Sequence, residues 1–353
     1  MDYSQNIKIG ITSGDLNGIG AEVVMKTFAE GKILQSITPV IYSSSKAISF
    51  YRKLLNATAF NFNSIRSADA AAIQKINVLN CWDEEVSIDP GAPTHTAAQY
   101  AFKSLEAATT DLAAGKIAAL VTAPVNKDTI QKAGFNFPGQ TEYLAGKFNS
   151  APLMLMISER MRIGFATGHM PLQKVPETLN QDIILQKIKI MNKSLQEDFA
   201  INRPKIAILG LNPHAGENGA LGNEEKEIIL PAVKKAFDEK ILVFGPFSPD
   251  GFFGSGSFAQ FDGILAMYHD QGLIPFKALS FESGVNYTAG MPVVRTSPDH
   301  GTAYDIAGKN IASEASFREA VFLAYDIVAK RKEYKELHAN PLPLGFSSMG
   351  GDQ

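Results

Sequence analysis

The chain has 353 residues, enough for two core-bearing units. Its 45% hydrophobic and 20% charged residues exclude the composition of chains that stay unfolded. A formal charge of −3 gives no reason to expect nucleic acid or an anionic membrane as partner. The single cysteine, Cys81, can form no intrachain disulfide, as suits a reducing compartment. The start, "MDYSQNIKIGITSGD", has no basic region followed by an apolar run, and no stretch approaches the roughly twenty apolar residues that span a bilayer. We therefore expect a soluble cytoplasmic protein.

In chain order, strands are expected at 7–12 (IKIGIT), 38–43, 75–82, 117–124, 153–158, 162–167, 204–211, 241–247 and 263–268 (GILAMY). Each is a short, nearly continuous apolar run closed by Gly, Pro, Asn or another turn former. Helical patterns fall at 96–115, 181–199, 224–239 and 314–334, and a tail containing Pro and Gly follows. Strand-helix alternation with apolar strands indicates an α/β fold with mostly parallel sheet flanked by helices. With no internal repeat and no low-complexity linker, a second subdomain would share the sheet or be inserted into the first. In such folds ligands bind beyond the carboxyl ends of the strands.

Three of the six histidines share one context. His169 follows "RIGFATG", His214 follows "KIAILGLNP" and His269 follows "GILAMY". In a parallel sheet these positions can converge on one edge and present three imidazoles to a divalent ion. The alternative is three core histidines, each satisfied by a backbone carbonyl. No local metal motif decides between them. Asp270 could orient His269 or cap the following turn.

The stretches "TSGDLNGIGAE" (12–22), "LVTAPVNKDTIQKAGFNFPGQTEYLA" (120–145), "FATGHMPL" (165–172), "LGLNPHAGENG" (209–219), "GPFSPDGFF" (245–253), "DGILAMYHDQGLIPFK" (262–277) and "GVNYTAGMPVVRTSPDHGTAYDIAG" (284–308) together resemble the 4-hydroxythreonine-4-phosphate dehydrogenase family of pyridoxal phosphate biosynthesis. The resemblance runs in consistent order from residue 7 to about 330. It implies an isocitrate/isopropylmalate dehydrogenase-like fold of two subdomains, one from 1–125 plus 300–353 and the other from 126–299. It also implies oxidation of a phosphorylated four-carbon hydroxy amino acid by NAD or NADP at a divalent metal, followed by loss of carbon dioxide. A homodimer is implied, with the metal shared by His169 and His214 of one chain and His269 of the other. The positions matching substrate contacts are Gln140, Thr141, Lys277, Asn286 and Arg295. One departure stands out: Gln140 occupies the place of a histidine in the family's usual Gly-His-Thr-Glu.

Asp250, Asp270 and Lys127 are candidates for the general base, and each could equally be a cap, an orienter or a surface charge. Lys277 follows "DQGLIPF", Asn286 is expected in a Gly-Val-Asn turn, and Arg295 is expected to end the apolar "MPVV". Arg can grip a carboxylate or phosphate by two parallel bonds, whereas Lys acts as a point charge. No GxGxxG fingerprint is present, and glycines 14, 18 and 20 read better as a turn and helix start than as a phosphate loop. The stretch "DHGTAYDIAGKN" is similar to the adenosine loop of isocitrate and isopropylmalate dehydrogenases, which puts His300 near adenine and Asp305 near the ribose. Imidazole ligands suit Zn, Co or Ni better than Mg, so Zn is favoured, with Mg or Co as the alternatives. A dehydrogenase for a threonate or erythronate phosphate, and an acyl or phosphate transferase of the same broad fold, are the competing readings.

Overall fold

A computed structural model of the chain describes residues 6–340. Residues 1–5 and 341–353, which include the tail and both extremes of the first expected subdomain, lie outside the described residues. The strands are β1 (Ile7–Thr12), β2 (Ile37–Ser43), β3 (Asn63–Ile65), β4 (Asn77–Asn80), β5 (Ala119–Val121), β6 (Leu153–Ile157), β7 (Arg162–Phe165), β8 (Lys205–Leu209), β9 (Leu242–Phe247), β10 (Gly263–Ala266), β11 (Val285–Ala289) and β12 (Val294–Pro298). The helices are α1 (Gly20–Ala29), α2 (Ser45–Leu54), α3 (His95–Ala113), α4 (Lys127–Lys132), α5 (Gln140–Lys147), α6 (Val175–Thr178), α7 (Gln181–Glu197), α8 (Leu230–Asp238), α9 (Pro249–Gly254), α10 (His269–Ser280) and α11 (Ala315–His338). Polar caps start several of them: Ser44, Thr94, Asn126 and Asn180 each accept a backbone N–H three residues on.

All twelve strands form one sheet in the order β3-β4-β2-β1-β5-β12-β11-β6-β7-β10-β8-β9. The fold is α/β and the sheet is mostly parallel, with antiparallel pairing confined to β12-β11, β11-β6 and β6-β7. Those three reversals leave the block β7-β10-β8-β9 running opposite to the block β4-β2-β1-β5-β12.

One face of the sheet carries a core that runs through both blocks. Ile9, Val121, Leu155, Tyr287, Ile208 and Leu265 meet residues of α1, α7, α8 and α11 there. The other face carries two separate cores. Tyr42 and Leu120 pack with α3 and α5 over the first block, and Ile163, Ala207 and Ile264 pack with α9 and α10 over the second. Strand residues alternate between faces, so Thr122, Arg295, Ser297, Asn286 and Thr288 share the second face and occupy the gap between its two cores. This polar stripe is where the apolar seal is broken.

Three strands were not expected from sequence. β11 and β12 carry Asn286 and Arg295, so Asn286 lies within a strand and not in a turn, and Arg295 lies inside β12 instead of ending an apolar run. β3 is a short, mostly exposed edge strand. The helix expected at 224–239 begins with a π-helical segment, Glu225–Ile229, before α8.

Candidate functional site

A cleft of about 640 Å³ lies over the polar stripe. Its floor is the sheet face, with Thr122, Arg295, Ser297, Asn286, Met154 and Phe165. Its walls are the 123–142 segment on one side and the loop holding Gly168, His169 and Met170 on the other, with His300 and Gly301 completing the rim. The cleft therefore spans the sheet face between the blocks and reaches the carboxyl ends of β5, β12 and β7.

Arg295 is the centre of the floor. It is 4% exposed and makes no ion pair among the described residues. Its guanidinium donates to Thr122 Oγ1 from Nε (3.1 Å) and Nη2 (2.6 Å), and from Nη1 to Thr141 Oγ1 and Thr288 Oγ1 (3.2 Å each). Burial draws the group down to about 10, while Glu142 pulls the other way. It is a full cation at neutral pH. Beside it the buried Asn286 Oδ1 has no partner in the structure, a donor-seeking group on the floor of an open cleft. Gln140, the first residue of α5, donates to the Ala123 carbonyl (3.3 Å) and lines the wall with Thr141 and Lys127.

β7, β10 and β8 are adjacent and parallel, so His169, His269 and His214 all leave the sheet at one edge. The rings of His169 and His269 lie 4.8 Å apart, and His269 stacks on Phe165 at 5.7 Å. Burial, then Lys127 and His269, hold His169 below its ordinary value, which favours the neutral imidazole that a metal requires. Asp270 Oδ1 sits 2.7 Å from His269 Nδ1 and orients that ring. His214 is exposed in an adjoining hollow with Asp250, Tyr268 and Asp270. Within one chain, no three His, Cys, Asp or Glu residues among those described form a group that could hold a metal.

The His214 loop has an unusual backbone. His214 to Asn218 are five consecutive residues with positive φ, four of them not glycine, and each non-glycine residue there costs roughly 1–2 kcal/mol. Glu225, almost fully buried, braces this turn. Its Oε1 accepts from the backbone N–H of Leu211 and Asn212 (2.7 Å each) and its Oε2 from Asn212 Nδ2 (3.0 Å). No spacing rule singles out Glu225; its only trace in the sequence is an acidic pair at the start of a helix.

Lys277 lies 3.5 Å from Asp299. Burial raises the Asp299 carboxyl against the opposing effect of Lys277, and its Oδ2 has no partner. His300 reaches the cleft rim with Nε2 buried and unpartnered, and burial lowers it. Asp305 is exposed and does not line this cleft. The 299–310 stretch packs on the first glycine turn: Ile19 N–H donates to the Thr302 carbonyl, and Tyr304 OH donates to Asp15 Oδ2 (2.8 Å). A Cβ at Gly18 would come within 3.0 Å of that same carbonyl, so this glycine is required by close approach of two loops.

A family model described as "Pyridoxal phosphate biosynthetic protein PdxA" matches residues 35–324. The chain belongs to the PdxA family. The 4-hydroxythreonine-4-phosphate dehydrogenase of Bacteroides thetaiotaomicron is 48% identical over 338 residues, covering 95% of this chain and 93% of that protein. A solved structure of 4-hydroxythreonine-4-phosphate dehydrogenase from Klebsiella pneumoniae superposes with a TM-score of 0.80 at 36% identity, covering 92% of this chain and 98% of that one. A protein of Oceanobacillus iheyensis, named provisionally as a D-threonate 4-phosphate dehydrogenase, is 36% identical and covers 90% of this chain and 97% of its own length. As a member of the PdxA family the chain is an oxidoreductase acting on a CH–OH group. Among the described residues no helix is long and apolar enough to cross a membrane.

Proposed function

We propose that this PdxA-family protein oxidises 4-phosphohydroxy-L-threonine with NAD or NADP, in pyridoxine 5'-phosphate synthesis. The carbinol hydrogen leaves as hydride to the nicotinamide and the hydroxyl proton goes to a base, giving 2-amino-3-oxo-4-phosphooxybutanoate. Loss of carbon dioxide returns an electron pair to the carbonyl, and protonation gives 3-amino-2-oxopropyl phosphate. The observation that carries this reading is Arg295, a buried cation without a carboxylate partner on the floor of an open cleft. Such a group favours an anionic ligand.

The donor chemistry fits a divalent ion of the Zn or Co class, with His169, His214 and His269 as the residues that would hold it. When bound, such an ion lowers the pKa of a ligated alcohol and polarises the resulting carbonyl. The chain's own residues do the rest. Arg295 holds an anionic group while Asn286, Thr141 and Gln140 offer hydrogen bonds, and Lys277, outside the cleft lining and beside Asp299, adds cationic charge. Lys127 alone of the three base candidates lines this cleft, while Asp270 orients His269 and Asp250 faces the His214 hollow. His300, with its free Nε2 at the rim, and Asp305 are the nucleotide contacts in this reading.

A homodimer is part of the proposal. Ile274 of α10, the helix that carries His269, is 67% exposed and Phe281 just after that helix is 75% exposed, apolar surface that a second copy would cover. Residues 1–125 with 300–353, and 126–299, remain our proposed subdomains; the split cores on one sheet face support two units. A second reading is a dehydrogenase for a threonate or erythronate phosphate, favoured by Gln140 and by the Oceanobacillus relative. The test compares 4-phosphohydroxy-L-threonine with unphosphorylated 4-hydroxy-L-threonine as source of NADH. The phosphorylated compound should be preferred by about a hundredfold or more in kcat/KM. Equal rates would defeat the proposal.

A further inference from the structure

Arg295 is buried among hydroxyls where an acid would be the usual partner. A buried cation is ordinarily matched by a carboxylate. Here the register supplies threonine on both sides. Arg295 pairs with Leu120 of β5, which puts Thr122, two residues on, on the same face. Tyr287 of β11 pairs with Thr296, which puts Thr288 beside Arg295. Both threonines are fully buried, and with Thr141 from α5 they take four of the five guanidinium N–H groups.

We propose that Thr122 and Thr288 are positioning residues that fix the Arg295 fork while leaving its charge un-neutralised for the anionic group of the ligand, a phosphoryl or carboxylate group. A hydroxyl accepts the hydrogen bonds and orients the plane. A carboxylate at either position would do the same and cancel the charge. Thr122 carries most of this role, because it accepts from both Nε and Nη2 and so holds the guanidinium plane against rotation. This inference rests on the proposed function only in taking the cleft as the substrate site.

The test uses the full-length protein with Thr122→Val, Thr288→Val and Thr122→Ser. Valine keeps the threonine shape without the acceptor, and serine keeps the acceptor. Binding of inorganic phosphate and of acetate is measured by calorimetry, alongside KM and kcat for 4-phosphohydroxy-L-threonine. Thr122→Val should weaken anion binding and raise KM by about tenfold, with kcat within about threefold, and Thr122→Ser should return both to near wild type. Thr288→Val, which removes one acceptor, should show a smaller change in the same direction. Weakening of phosphate alone places the phosphoryl group on Arg295, weakening of acetate alone places the carboxylate there, and either supports the inference. Wild-type anion affinity and KM in folded Thr122→Val and Thr288→Val would overturn it, as would failure of serine to rescue. If wild type does not oxidise 4-phosphohydroxy-L-threonine, the functional reading fails while the calorimetric arm still decides the role of the threonines.

Discussion

Replacing Arg295 by Met removes the buried cation while keeping most of the side-chain volume. Burial draws the guanidinium down to about 10, and at 1.36 kcal/mol per pH unit the displacement corresponds to roughly 3 kcal/mol of unfavourable charge burial. Because the folded-state value of this base is depressed, the penalty is carried at every pH below about 10 and is relieved only as the pH rises through and beyond it. Arg295→Met relieves it at neutral pH. Against that gain stand the bonds to Thr122, Thr141 and Thr288, each worth about 1 kcal/mol net. The two effects nearly offset, so stability without ligand, measured by urea denaturation, should stay within about 2 kcal/mol of wild type. Substrate binding should suffer much more. Losing the charge-assisted bond from the one guanidinium N–H left free for an anion costs about 2–3 kcal/mol, a rise in KM of roughly thirtyfold to a hundredfold. A loss of over about 4 kcal/mol in stability with KM unchanged would make Arg295 a core cation with no part in ligand binding.

Gln140→His tests the departure from the usual family residue: if a hydrogen bond is all that position supplies, activity should change by only a few-fold. A gain of about a hundredfold, with a new ionisation near neutrality in the pH profile, would instead show that a cationic or proton-carrying group is needed. Glu225→Ala removes the acceptor for the Leu211 and Asn212 N–H groups. It should speed hydrogen exchange across residues 211–224 and lower bound metal, with a local loss of about 3 kcal/mol; unchanged exchange would contradict the bracing role. Mixing inactive His169→Ala and His269→Ala proteins should restore one intact site per heterodimer if His269 serves the neighbouring chain. No recovery after verified exchange would assign the metal to the His169–His269 pair of one chain.

Much of the fold was legible because the buried strands are apolar on both faces, as in "IAALV" and "GILA", and helices such as α7 begin at a clear Asn cap. β11 and β12 escaped for the reason that makes them important. Arg295, Ser297 and Asn286 line the cleft and Thr288 backs Arg295, so neither "VNYTA" nor "VRTSP" reads as an apolar run. Local pattern fails where one face of a core strand lines an open cleft. The histidines could be placed at strand ends from sequence, but the left-handed turn at His214 and its brace, Glu225, depend on contacts between distant residues. The threonine collar was hidden likewise. Its members come from β5, α5 and β11, and only sheet register brings them around Arg295.

Tyr287 fixes the back of the same stripe. Its hydroxyl donates to Asp198 (2.6 Å) and accepts from Arg331 (2.9 Å), a buried network that ties β11 to α7 and α11. Asn286 and Thr288 project from that anchored strand to the opposite face. The site is thus built on a strand held by the core common to both blocks, which suits a pocket that must keep its geometry.

Substrate choice is decided by kcat/KM for 4-phosphohydroxy-L-threonine against D-threonate 4-phosphate and D-erythronate 4-phosphate, followed as NADH formation by metal-saturated protein. The amino acid substrate should lead by about tenfold or more. A lead of that size for either non-amino acid would contradict the proposed function and assign this PdxA-family chain to the paralogous activity.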